Sequence, residues 1–113
     1  MTKTITRDEV RAGLEARTIT AVDALPEHYY SQQHLPGALN LVADDVSTRA
    51  AEMLPDRDAA IVTYCSNTAC GNSGHVATAL TKLGYTNVRT YAEGIQDWVE
   101  AGLPTEIGTP TQQ

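Results

Sequence analysis

The order of its segments predicts an α/β domain of three layers, with a parallel sheet between helices. Runs with strand character at residues 18–22, 38–42, 61–64 and 87–91 alternate with stretches that read as helices. The connections are short, and most of the candidate helices carry a start or stop signal. Strands separated by helices pair in parallel through right-handed crossovers, and ligands collect at the carboxyl ends of such strands.

The first helix is marked by Thr6-Arg7-Asp8-Glu9, a capping box followed by Val10 and Leu14 at i, i+4, so it starts near Arg7. Residues 18–22 are β-branched and compact, which predicts a strand ending at Asp23. Residues 24–36 show no clean period and predict a short helical turn inside a long connection. In His34-Leu35-Pro36-Gly37-Ala38 the proline fixes one dihedral and the glycine frees the next, so a turn leads into a strand at 38–42. Val46, Ala50, Met53 and Leu54 form one apolar stripe over a helix at 44–54, which Pro55 closes. After the strand at 61–64 and a polar loop, Val76, Leu80 and Leu83 repeat with helical spacing up to Gly84. A strand at 87–91 follows. Ile95, Trp98 and Val99 mark a last helix, with Gly102 and Pro104 as stops, and the Thr/Gly/Pro/Gln-rich tail from Thr105 reads as frayed.

At 113 residues the chain suffices for one domain with one core, over residues 1–113 with ordered structure over about 5–105. A formal charge of −6 argues against nucleic acid or an anionic membrane surface as the main partner. No apolar run approaches the roughly 18 residues of a membrane span, and neither a leader nor a lipidation motif is present, so the expected location is cytoplasmic. Two cysteines at C-x4-C spacing with three histidines fit neither a zinc framework nor a C-x2-C redox box. No metal and no cofactor are expected.

The segment Ile61-Val62-Thr63-Tyr64-Cys65-Ser66-Asn67-Thr68-Ala69-Cys70-Gly71-Asn72-Ser73-Gly74-His75-Val76 reads as a buried strand, a tight loop opened by a cysteine, and a helix. Successive small residues let backbone N–H groups point inward, and the helix N-terminus adds partial positive charge, so a thiolate or persulfide on Cys65 gains stabilisation. Cys65 is therefore the candidate nucleophile, since nothing in the loop's composition would seal its thiol in an apolar core. Ser66, Asn67, Thr68, Ala69, Cys70, Gly71, Asn72 and Ser73 form the candidate binding loop, largely through backbone amides. Cys70 has two readings: a thiol that attacks an oxidised or persulfidated Cys65, or a side chain tucked into the core, the latter preferred. Asp23 and His75 are accessory candidates. Asp23 lies at a strand's carboxyl end, and His75 in the first helical turn, where the dipole disfavours its charged form. His34 reads as a turn-fixing hydrogen-bond donor and Trp98 as core. Residues 66–75 contain no Arg or Lys, which excludes the planar oxyanion fork of cysteine phosphatases.

Five blocks stand in the order and spacing of a known family: Val22-Asp23, residues His34 to Leu41, Val62-Thr63-Tyr64-Cys65, residues Leu83 to Val88 and residues Gly94 to Pro104. Over about residues 5–105 the chain resembles the single-domain rhodanese-like (sulfurtransferase) proteins, in a C-x4-C variant of the active loop. The resemblance implies a central five-stranded parallel sheet flanked by helices, with Cys65 at the position of the sulfur-carrying cysteine. It also implies a ping-pong cycle in which Cys65 takes sulfane sulfur from a small donor and passes it to a thiol or cyanide acceptor. A protein persulfide is a further candidate partner. The chain departs from the family's pattern in three places. Its longer loop carries Cys70, Asn72 and Ser73 in place of the usual Arg, Ala24 follows Asp23 where a basic residue is common, and Glu93 stands for a Gly. The neutral loop favours a persulfide-type donor over the anionic thiosulfate. Two other readings stay open: a thiol-redox enzyme using Cys65 and Cys70, and a non-catalytic module that binds a partner protein.

Overall fold

The computed structural model describes residues 3–108. In chain order its elements are β1 (Lys3–Thr4), α1 (Arg7–Ala16), β2 (Thr20–Asp23), α2 (Glu27–Gln32), β3 (Leu39–Asn40), α3 (Val46–Met53), β4 (Ile61–Tyr64), α4 (Asn72–Lys82), β5 (Val88–Tyr91) and α5 (Gly94–Glu100), with one 3-10 turn, Ala43–Asp45, before α3. The five strands form one sheet in the order β1-β5-β4-β2-β3, and every pairing is parallel. The predicted α/β class and the five-stranded parallel sheet between helices are both present.

Strand alternation divides the core into two faces. Val22, Ile61 and Val88 pack with Val46 and Ala50 of α3 and Val76, Ala77 and Leu80 of α4. On the opposite face Ala21, Val62, Tyr64 and Tyr91 pack with Ile5, Val10, Tyr30 and Trp98. β4 lies between β2 and β5 and is buried on both faces, which explains its unbroken Ile-Val-Thr-Tyr run. The period of two sends Ile61, Thr63 and Cys65 toward α3 and α4, and Val62 and Tyr64 to the other side.

The capping box of α1 is fully formed: the Glu9 amide donates to Thr6 Oγ1 at 3.3 Å, and the Thr6 amide donates to Glu9 Oε1 at 3.1 Å. Arg7 Nη1 then reaches Asp97 Oδ1 at 3.2 Å, and the Tyr91 hydroxyl donates to Asp97 Oδ2 at 2.6 Å, tying α1 and β5 to α5. Trp98 is core as expected, and its indole N–H donates to the Pro104 carbonyl at 2.7 Å. Gly84 follows α4 with φ +99°, the left-handed conformation expected of the stop signal.

Three expectations need correction. β1 had no counterpart among the strands read from periodicity, because a two-residue exposed strand carries no hydrophobic pattern and exists only through its pairing with β5. β3 shrinks to two residues from the predicted 38–42, and the helix predicted over 44–54 opens as a 3-10 turn before α3. The chain from Thr105 is not frayed as far as Gly108. Glu106 exchanges backbone hydrogen bonds with His34 at 2.9 and 2.8 Å, its carboxylate accepts from the Gly37 amide at 2.8 Å, and the Gly108 amide donates to the Ser31 carbonyl at 2.7 Å. The remainder of the predicted tail lies outside the described residues. No helix among those residues is long and apolar enough to cross a membrane.

Candidate active site

Cys65 follows the last residue of β4, at the carboxyl edge of the sheet where β2 also ends. Two features fix its backbone. The Ile95 amide donates to the Cys65 carbonyl and the Gln96 amide to the Ser66 carbonyl, both at 2.9 Å, so the first turn of α5 grips the start of the loop. Gly94 makes this approach achievable, since it has φ +73° and an added Cβ would stand 2.6 Å from the Cys65 carbonyl oxygen. On the other side the Thr63 hydroxyl donates to the Ser73 carbonyl at 3.0 Å, and Asn72 Nδ2 donates to the Ala24 carbonyl at 3.4 Å. These two bonds hold the first turn of α4 against β4 and β2.

Within the loop, Asn67 organises a turn. Its carbonyl accepts from the Cys70 amide at 3.1 Å and its Oδ1 accepts from the Ala69 amide at 3.0 Å, while its Nδ2 donates to Gln96 Oε1 at 3.0 Å. The turn folds Cys70 back onto Cys65. Both cysteines are free thiols. Cys65 Sγ lies 3.4 Å from the Cys70 carbonyl oxygen and 3.6 Å from Ser73 Oγ.

The donors are distributed differently from the sequence-based expectation. Cys65 is 2% exposed and belongs to the apolar cluster with Val76 and Ala77, so the loop does seal it. Strand alternation accounts for this, because Cys65 continues the inward row of Ile61 and Thr63. Burial pushes the Cys65 thiol up and the contact with Cys70 adds to the rise, while the Ser73 hydroxyl and amide oppose it. At Cys70 burial alone would raise the thiol. Hydrogen bonds from the Cys65 thiol, the Asn72 and Ser66 amides and the Ser66 hydroxyl outweigh it and hold Cys70 below the ordinary thiol value. Cys70 is half-buried at the margin of the core cluster, combining a packing contact with partial access to solvent. The donors expected to favour the charged form of Cys65 thus act mainly on the second cysteine.

The remaining candidates divide. His75 is exposed and shares with Asn72 a cleft of about 600 Å³ whose walls include Glu27, Asp44, Asp45 and Arg49. Asn67, Thr68 and Ala69 line a second cleft, of about 390 Å³, with Glu93, Gln96, Asp97 and Glu100. Gly71 precedes α4, and its carbonyl accepts from the His75 amide at 3.2 Å. Asp23 is fully buried and lies on the face away from Cys65, beside Tyr64. Its Oδ1 accepts from the Leu25 amide at 2.8 Å, and burial raises its carboxyl to about 6. His34 is structural, its Nδ1 lying 2.8 Å from the Tyr30 carbonyl oxygen and its ring stacked on Tyr30 with centroids 4.0 Å apart. Gly94 and Thr63 are positioning residues that the site list from the sequence lacked. For Gly94 the available signal was a glycine at the first position of a helix, facing a strand end. Among the described residues, no three His, Cys, Asp or Glu side chains are grouped so as to hold a metal ion.

Comparison with known proteins agrees with this layout. The family model described as the rhodanese-like domain matches residues 6–101. An HTH-type transcriptional regulator of Mycobacterium tuberculosis is 35% identical over 106 residues, which are 94% of this chain and 46% of the regulator. The thiosulfate sulfurtransferase PspE of Escherichia coli is 33% identical over 76 residues, 67% of this chain and 70% of that protein. The chain thus spans about half the length of the first of these relatives. Among solved structures, a Bacillus halodurans protein superposes with a TM-score of 0.85 at 20% identity, covering 94% of this chain and 77% of that one. A rhodanese from E. coli solved with anions superposes with a TM-score of 0.65 at 29% identity, covering 80% of this chain and 99% of that one. With the sheet order, the cysteine at the end of β4 and the matched model in agreement, the chain belongs to the rhodanese-like domain family.

Proposed function

We propose that the domain is a sulfurtransferase that carries sulfane sulfur as a persulfide on Cys65. The observation that carries this reading is the seat of Cys65, at the carboxyl end of the central strand β4, with its carbonyl gripped by α5 and its sulfur 3.6 Å from the Ser73 hydroxyl of α4. In the first half-reaction the Cys65 sulfur attacks the sulfane sulfur of a donor, the donor's thiolate or sulfite leaves, and the Cys65 proton passes to solvent or to the leaving group. In the second, a thiol or cyanide attacks the terminal sulfur and Cys65 is regenerated. Cys70 and Ser73 lie against the sulfur in both steps, and neither step calls for a cofactor or a metal.

Charge around the loop favours a persulfide-type donor. The two flanking clefts hold six carboxylates, from Glu27, Asp44, Asp45, Glu93, Asp97 and Glu100, against one guanidinium, Arg49. A dianionic thiosulfate is repelled there, whereas a low-molecular-weight or protein persulfide presents less charge at its reacting end. A reduced, cytoplasmic setting suits two free thiols.

The test is intact mass after incubating reduced protein with glutathione persulfide or with thiosulfate, beside Cys65→Ser. Retention of one sulfur atom by a chain that has Cys65, and none by Cys65→Ser, is expected on a background in which Cys70 is replaced by Ser. No added sulfur from either donor would overturn the reading. A second reading rests on the similarity over 94% of the chain to a transcriptional regulator. There the domain reports sulfur species to an attached or separate partner without turnover, and Cys65→Ser that keeps the cellular output would favour it.

A further inference from the structure

Four observations bear on Cys70, which the sulfur-carrying reading leaves without a role. The Cys65 Sγ lies 3.4 Å from the Cys70 carbonyl oxygen, and Cys70 packs against the cluster that holds Cys65, so the two residues share one small space. The turn at Asn67 holds Cys70 in place through the 3.1 Å bond from the Cys70 amide to the Asn67 carbonyl. The nearby Ser66 amide and hydroxyl and the Asn72 amide favour the thiolate form of Cys70. Cys70 is half-buried and Cys65 almost fully buried, so the second residue is the more accessible to solvent.

We infer that Cys70 resolves the Cys65 persulfide: its thiolate attacks Cys65 Sγ, the terminal sulfur departs as hydrosulfide, and a Cys65–Cys70 disulfide closes. The inference rests on the reading of Cys65 as the sulfur carrier. In the balance, a donor persulfide and two protein thiols become one donor thiol, one hydrogen sulfide and one disulfide. The sulfane sulfur gains two electrons and the two cysteines lose them. The dithiol form is restored by two-electron exchange with a dithiol reductant, or with two monothiols in succession. The domain is then a persulfide-reducing, sulfide-releasing device whose oxidised form records that a persulfide has arrived.

The site of attack follows from the leaving groups. Attack at the terminal sulfur would expel Cys65 as a thiolate into an apolar surround, where burial disfavours the charge. Attack at Sγ expels hydrosulfide, the anion of a stronger acid than an alkyl thiol, which diffuses away. The inner sulfur is also the one that already lies 3.4 Å from the Cys70 carbonyl oxygen.

The experiment uses reduced wild-type chain with one equivalent of glutathione persulfide under anaerobic conditions, without added reductant, with sulfide release and intact mass read together. Expected is close to one equivalent of sulfide per chain, loss of two hydrogens from the protein, and a Cys65–Cys70 crosslink in the peptide map. Cys70→Ser is expected to stop with one added sulfur and no sulfide. Wild type that retains the added sulfur and releases no sulfide, while Cys70→Ser also retains it, overturns the resolving role and leaves the carrier reading intact. If neither protein gains sulfur or releases sulfide, the carrier reading itself fails and the inference with it. Sulfur added to Cys70 in Cys65→Ser would reverse the roles and overturn both. The wild-type arm decides the matter even if Cys70→Ser does not fold.

Discussion

Gly94 and Cys65 meet backbone to backbone: a Cβ built on Gly94 would lie 2.6 Å from the Cys65 carbonyl oxygen, at a φ of +73°. The start of the Cys65 loop is therefore set by a helix that packs against it and not by the loop's own turn chemistry alone. Gly94→Ala must both hold a left-handed conformation and push the Cys65–Ser66 peptide away. We expect a loss of about 2–4 kcal/mol in denaturant unfolding, combining the cost of the strained dihedral with that of overpacking. The surviving folded fraction should take up sulfur more slowly. Unfolding that matches the wild type would show that α5 does not constrain the loop.

The two thiols should titrate in the reverse of the order that the loop sequence suggests. With Cys70 held below the ordinary thiol value and Cys65 pushed above it, lowering the proton concentration exposes the Cys70 thiolate first. Iodoacetamide at neutral pH should label Cys70 well ahead of Cys65, and the Cys65 rate should keep rising with pH beyond the usual thiol range. Peptide mapping over a pH series reads both. Faster labelling of Cys65 at neutral pH would contradict the donor distribution at the site.

Asp23 makes stability depend on pH. Its carboxyl is fully buried, desolvation raises it from 3.8 to about 6, and the Leu25 amide, the Tyr64 hydroxyl and His34 offset only part of that. The Tyr64 hydroxyl lowers it without leaving Oδ2 a hydrogen-bond partner of good geometry. The folded state holds this proton more tightly than the unfolded chain does. Its contribution is therefore fully present below 3.8 and is lost as pH rises through about 6. The difference amounts to at most ~3 kcal/mol. Asp23→Asn keeps an acceptor for the Leu25 amide and carries no charge, so it should be more stable than the wild type at pH 7.5, by about 1–3 kcal/mol, and nearly equal at pH 4. Parallel urea titrations at the two pH values give the comparison, and an Asn variant less stable at both would refute the desolvation account.

The legible part of this molecule is the part that local chemistry decides. Thr6 and Glu9 announce a capping box that forms as read, and Ile61 to Tyr64 announce a doubly buried strand. The burial of Cys65 was also legible, since it extends the inward row of Ile61 and Thr63, but the small polar loop that follows pointed the other way. β1 and the Glu106–His34 bridge were not legible, because each exists only through pairing with a distant segment. The convergence of the Ser66 and Asn72 donors on Cys70 depends on how the Asn67 turn folds the loop back, and a list of loop residues does not contain that path.

The acidic surround of the loop should decide between donors. Glu93 is exposed and lines the cleft beside Asn67 and Thr68, with Asp97 and Glu100 beyond it, while Asp97 is already engaged by Arg7. A surface carboxylate near a dianion contributes repulsion on the order of 1 kcal/mol at low salt, and ions screen it over roughly 8 Å at physiological strength. Replacing Glu93 by Lys turns that repulsion into attraction of similar size, so KM for thiosulfate should fall about fivefold or more at low salt. The gain should shrink as salt is added. A persulfide of an uncharged thiol has no net charge at its carbon end and should change by less than about twofold. Steady-state kinetics with both donors at two ionic strengths separates the cases. If Glu93→Lys leaves the thiosulfate KM unchanged at low salt, the proposed preference for a persulfide donor does not originate in the charge of this cleft, and the absence of a guanidinium from the loop becomes the feature to test, by placing an arginine at Asn72 or Ser73.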